Sequence, residues 1–137
     1  MGPEFDSLAQ GFPLLIFYLT TVAAIYVAGM FIYVKLTPHK EFALVADGNM
    51  AAAVHLSATV ISLALPLAAC LVNKIGLVDV LVWGTFSLFL QLFLFRLTDA
   101  IFRGMPALIE ANVVAPTVVL AAFKLAGSII LAFAISG

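Results

Sequence analysis

Four runs of apolar residues, at about 12–36, 49–72, 75–97 and 113–136, each hold the roughly 20 residues a helix needs to cross about 30 Å of hydrocarbon. Within a bilayer every backbone N–H and C=O must find its partner inside the protein, and runs this long without alternating polarity form helices, not barrel strands. The expected fold is an all-α integral membrane bundle of four transmembrane helices. The chain has 137 residues, 65% hydrophobic and 9% charged, so it has no room for a separate extramembrane domain beside those four crossings. The connections fall at 37–48, at a tight Asn73-Lys74 turn, and at 98–111.

Charge narrows the partners. A net charge of −1 with no basic run gives nothing that could follow a phosphate backbone, which sets nucleic acid aside and leaves the lipid bilayer as the first partner. A lone Cys70 in an apolar run builds neither a disulfide framework nor a multi-thiolate metal site. Residues 1–6, which begin Met1-Gly2-Pro3-Glu4-Phe5, read as a cloning remnant. No basic stretch precedes the first apolar run and no small-residue cleavage site follows it, so that run is expected to stay as an anchor. Lys35, Lys40, Arg96 and Arg103 flank the first and third connections, against Lys74 alone on the other side. The excess of basic residues in cytoplasmic loops then places connections 37–48 and 98–111 in the cytoplasm and both termini outside, on the periplasmic side of a bacterial inner (plasma) membrane.

Shifting the chain by 63 residues lays the first two helices on the second two without a gap: Lys40 falls on Arg103, Asp47 on Glu110, Asn49 on Asn112, Ala52 on Ala115 and Ala58 on Ala121. The repeat rests on one pattern, acid-x-Asn at the mouth of the second and fourth helices. It divides the chain into parallel two-helix units at 7–72 and 73–137, with both acid-x-Asn elements on one membrane face. Asn at a helix start can accept from first-turn N–H groups that have no intrahelical partner, and an acid just ahead suits the positive helix end. Asp47, Asn49, Glu110 and Asn112 are therefore read first as helix-mouth caps. The alternative is that the paired mouths bind a cation or a partner's basic group.

The stretch Ile32-Tyr33-Val34-Lys35-Leu36-Thr37-Pro38-His39-Lys40-Glu41, followed by Asn49-Met50-Ala51-Ala52-Ala53 and Leu65-Pro66-Leu67, resembles the YjfL-type bacterial inner-membrane proteins of the uncharacterised domain-of-unknown-function family 350. The likeness runs from Leu14 onward. It implies a small inner-membrane protein with a tandem two-helix unit and no assigned activity, encoded near envelope-stress and ATP-grasp ligase genes. Two departures stand out: the second unit reads Asn112-Val113-Val114-Ala115-Pro116 where the family favours Ala, and Lys124 stands where small or apolar residues are usual.

A charge near the bilayer centre costs at least about 2.5–3.5 kcal/mol on insertion scales. Lys124 lies 12 residues past Asn112, about 18 Å along its helix, too deep for easy snorkelling. It shares a small, polar face with Thr117, Ala121 and Ser128, which should turn it into the bundle. No carboxylate is expected at its level. Pro66 frees the carbonyl of Ser62 at the same depth, and Gln91 can approach from the third helix, so Ser62 and Gln91 are the expected partners. His55, Thr59 and Ser62 form a second polar stripe, with His55 read as an interhelical hydrogen-bond partner. His39 falls in the polar connection. A two-His metal site is set aside because no third ligand follows at suitable spacing, so neither metal nor cofactor is expected.

The remaining signals read as structural. Phe86, Phe89, Phe93 and Phe95 suit lipid or a subunit interface, Ala24-x-x-x-Ala28 and Ala122-x-x-x-Ala126 permit close helix approach, Tyr33 marks an interface, and Phe42, Leu44 and Val45 lie on the membrane surface. No catalytic set, phosphate loop or thiolate cluster points to an enzyme. The preferred function is a structural or partner-binding membrane component linked to the envelope, homo-oligomeric, with a membrane or cytoplasmic protein partner. The alternative is a homo-oligomeric channel or transporter for a small anionic solute with Lys124 lining the path.

Overall fold

The computed structural model describes residues 2–73 and 76–137. Lys74, the one basic residue placed on the far side, and Ile75, the expected start of the third run, lie outside the described residues. The described chain forms six helices: α1 (Pro3–Leu36), α2 (Glu41–Ala46), α3 (Met50–Val72), α4 (Leu77–Ile101), α5 (Met105–Glu110) and α6 (Val114–Ser136), with no strand among those residues. α1, α3, α4 and α6 are long and apolar enough to cross a membrane. α2 and α5 sit in the two long connections, at the end where α1 and α4 finish and α3 and α6 begin.

Two bounds differ from the sequence expectation. α1 reaches back to Pro3 through the residues set aside as a remnant. Proline in the first turn loses no helical hydrogen bond, and Glu4 and Asp6 complement the positive end of the helix dipole. α4 continues past residue 97 to Ile101, so Asp99 belongs to the last turn of a spanning helix and not to the connection.

α3 and α6 form the closest helix pair. Ala51, Ala52 and Ala58 of α3 and Ala121 of α6 are buried there, and small side chains let two backbones approach without a hydrophobic drive from water. α1 meets α4 through larger groups: Ile25, Tyr33, Leu88, Leu92 and Phe95 join Leu63 and Leu67 of α3 in one core cluster. Two glycines make that seam. A Cβ at Gly29 would run into the Leu88 side chain, and one at Gly84 would lie 3.0 Å from Ile25 Cδ1. Ala24, Ala28, Ala122 and Ala126, expected at helix contacts, are exposed instead. Phe86, Phe89 and Phe93 face outward, whereas Phe95 is buried.

A second apolar cluster of Ala52, Met105, Ile109 and Leu120 closes the α2/α5 end, with Leu44, Val45 and Phe102 against it. Of the three residues expected on the membrane surface, only Phe42 is exposed. Two asparagines 63 residues apart link α3 to the end of α5 here. Asn49 caps its own helix by accepting from Ala52 N–H at 2.8 Å, while its Nδ2 donates to the carbonyl of Ile109 at 2.8 Å. Asn112 does not cap α6: it holds φ at 59°, a left-handed conformation asparagine tolerates, and its Oδ1 accepts from Ala51 N–H of α3 at 3.0 Å. Val113 is the residue that opens α6, with no side-chain cap.

Candidate functional site

A buried cluster of ionisable groups is built on Glu41. It begins α2, where an acid suits the helix start, yet it is buried and its Oε1 accepts three hydrogen bonds. The Tyr33 hydroxyl donates at 2.7 Å, His39 Nε2 at 2.7 Å and His55 Nδ1 at 2.6 Å. Burial pushes the carboxyl up, but the hydrogen bonds from His39, His55 and Tyr33 outweigh it and hold Glu41 at about 2. The other oxygen, Oε2, and His39 Nδ1 are buried without a hydrogen-bond partner among the described residues. Thr59 Oγ1 lies 3.1 Å from the His55 carbonyl and 3.3 Å from the Tyr33 hydroxyl, which fixes both groups from below. Tyr33, expected at a membrane interface, is buried in this cluster with its ring edge-on to Phe95.

Lys124 extends the cluster. Its ammonium donates to His55 Nε2 at 2.9 Å, pairs with Asp99 Oδ1 at 2.9 Å, and lies 5.1 Å from the centroid of the Phe95 ring. The expected partners, Ser62 and Gln91, do not hold it. The Ser62 carbonyl accepts from the Ser128 hydroxyl instead, and Gln91 makes no hydrogen bond among the described residues. The difference has a geometric cause. Helical side chains point back toward their own N-terminus, so Lys124 on α6 leans toward the α2/α5 end while Asp99, near the C-terminus of α4, leans inward to meet it. A carboxylate therefore does reach Lys124, once α4 is extended by its last turn.

A cavity of about 340 Å³ opens beside this cluster, lined among others by Tyr33, His39, His55, Arg96, Asp99 and Arg103. Lys124 is absent from its wall and its side chain is fully enclosed, so it stands behind the chamber and does not line a path. Deeper in the bundle the polar groups are neutral. Ser62, Ser87, Gln91 and Ser128 are all buried, and the Ser62 hydroxyl and both ends of the Gln91 amide have no hydrogen-bond partner among the described residues. Ser87 donates to the Gly84 carbonyl and sits 3.9 Å from Cys70 Sγ. Cys70 in turn lines a cavity of about 580 Å³ at the opposite end, with Asn73, Asp79 and Trp83.

Sequence reasoning thus singled out His55, Thr59, Ser62, Gln91 and Lys124, and the structure buries all five. It ties His55, Thr59 and Lys124 into one network and leaves Ser62 and Gln91 below it. Asp47 and Glu110 remain exposed at the mouth. Glu41 and Asp99 were missed. The metal question also changes: His39, Glu41 and His55 form the one group of three ligating side chains among the described residues whose ligand atoms lie within 4.8 Å of one another. The third ligand that sequence spacing did not supply comes from Glu41, two residues from His39, because α2 folds back over the start of α3.

A family profile described as Domain of Unknown Function (DUF350) matches residues 7–135. The chain is 33% identical over 93 residues to the UPF0719 inner membrane protein YjfL of Escherichia coli (strain K12), covering 68% of each protein, and equally to its counterpart in Escherichia coli O157:H7. No solved structure matches it significantly.

Proposed function

From the premise that the chain belongs to the DUF350 family and is a multi-pass inner-membrane protein, we propose that it provides a path for a small anionic solute, with the cavity beside Arg96 and Arg103 as its binding chamber. One observation carries this reading. A column of buried neutral polar groups runs between a cavity at each end of the bundle, and Gln91 and Ser62 at its middle present polar atoms that no protein group among the described residues satisfies. Buried polar groups are costly when unpaired, so such atoms are kept where water or a solute pairs with them in turn. Two arginines against Asp99 make the chamber wall favour anions. In this reading the chain is not an enzyme, and the chamber faces the cytoplasm on the side rich in Lys and Arg. The parallel two-unit organisation at 7–72 and 73–137 belongs to the same proposal. It is supported by the order long helix, six-residue helix, long helix, which occurs twice.

The test is anion flux in liposomes carrying the purified chain, read with a chloride-quenched dye. Flux that falls in Gln91→Leu and in Arg96→Ala supports the path; no wild-type flux, or flux indifferent to both changes, refutes it. A second reading, a structural or partner-binding component that assembles with copies of itself or with another protein, is favoured by Asp47 and Glu110. Both are exposed at one mouth, where Asn49 bonds the backbone beside Glu110. Under it, Asp47→Ala and Glu110→Ala weaken co-purification of a native partner and leave the fold intact.

A further inference from the structure

The chain has two histidines, 16 residues apart, and the fold brings both onto one carboxylate oxygen. His39 is held in the bend after α1, Glu41 starts α2, and His55 is in the second turn of α3, so three separate pieces of backbone converge. All three side chains are buried, with 6%, 4% and 2% exposure. Their arrangement is lopsided for a hydrogen-bond network: three donors crowd Glu41 Oε1, while Oε2 and His39 Nδ1 have no partner. Glu41 Oε2 is thus a buried carboxylate oxygen that no group among the described residues pairs, and a bound cation would satisfy it.

We propose that His39, Glu41 and His55 form a binding site for a single divalent first-row transition ion of the Zn²⁺ class. Two imidazoles and one carboxylate match the ligand types and number of zinc sites that keep a position open. His39 Nε2 and His55 Nδ1 now stand 2.7 and 2.6 Å from Glu41 Oε1. Around an ion at about 2.1 Å from each ligand, tetrahedral neighbours stand about 3.4 Å apart, so each nitrogen parts from the carboxylate oxygen by less than about 1 Å. The protons on those two nitrogens move to the opposite ring nitrogens or to solvent as ligation replaces them. The Tyr33 hydroxyl on the carboxylate already orients that ligand, and on ligation His55 carries its proton on Nε2, so the Lys124 ammonium gives up that nitrogen and keeps Asp99. An ion also has a way in. A cavity of about 480 Å³, apart from the arginine-lined chamber, reaches His39 and Glu41 from the side of α2.

The experiment uses the full chain, without any histidine tag, purified in detergent and equilibrated with Zn²⁺ or Co²⁺. With both histidines in the cluster, nitrogen-ligated Co²⁺ can report only this place. The expected result is one ion per chain retained through dialysis, a visible tetrahedral Co²⁺ band, and the same binding in Cys70→Ser. His39→Gln, which can still donate a hydrogen bond to Glu41, and Glu41→Gln should each weaken the affinity by about tenfold or more while helical content and elution volume stay those of the wild type. A wild-type chain that retains no ion, or one that binds as well after His39→Gln, overturns the site. The result is independent of solute flux: an ion retained without flux, or flux without an ion, decides one proposal and leaves the other standing.

Discussion

The α2/α5 end and the middle of the bundle are both furnished with buried polar side chains, yet they are assembled on opposite principles. At the end, charged groups lock one another: Asp99 to Lys124, Lys124 to His55, His55 to Glu41, and Glu41 to His39 and Tyr33. In the middle the groups are neutral and small, several bond only to nearby backbone, and Gln91 and the Ser62 hydroxyl bond to nothing described. Charges in a low-dielectric interior persist only when paired, so the first region fixes a geometry. Neutral amides and hydroxyls tolerate being unpaired at a cost of about 1–3 kcal/mol each, so the second can exchange partners.

This contrast breaks most directly at Lys124. Replacing it by alanine takes the donor from buried His55 and the partner from half-exposed Asp99 and should cost about 1.5–3 kcal/mol in detergent unfolding; a loss under about 0.5 kcal/mol would mean that the end is no more interlocked than the middle. Acid titration probes the same region. Glu41 sits at about 2, below its ordinary 4.5, so in the metal-free protein its contribution is fully present above about pH 4.5 and is lost as pH falls toward 2. Glu41→Gln should flatten that part of the pH–stability curve. Asn112→Ala leaves the first-turn Ala51 N–H of α3 without its acceptor and places a residue with no side-chain hydrogen bond at positive φ; about 1–2 kcal/mol is expected by thermal unfolding. The smallest effect belongs to the middle. Gln91→Leu and Ser62→Ala should change stability by less than about 0.5 kcal/mol or raise it, because each removes an unpaired polar group. A large loss at Gln91 would show that its amide is satisfied by something fixed.

The spanning helices were legible in the sequence because the thickness of hydrocarbon sets their length and no soluble alternative accommodates so apolar a chain. The inward side of α3 was legible as well, since His55, Thr59 and Ser62 recur at helical spacing. What escaped was every contact set by where a helix ends. Hydropathy stops the third run at Leu97, but backbone hydrogen bonding carries α4 on to Ile101, and that single turn delivers Asp99 to Lys124. Glu41 read as one more polar residue in a connection. Its role depends on α2 folding over α3, which pairs positions 14 apart in sequence with no periodic signal. Asn112 carried a cap signal that was correct in kind and wrong in target, because its left-handed backbone turns the side chain toward the neighbouring helix.

The exchange between Asn49 and Asn112 has a mechanical consequence. Each side chain grips the backbone of the other half of the chain, so α3 and α6 cannot separate at this end without baring first-turn amides inside a membrane. The inner pair is thus tied at the same end where Asp99 of α4 reaches Lys124 of α6, so one ion pair links α4 to the α3–α6 core.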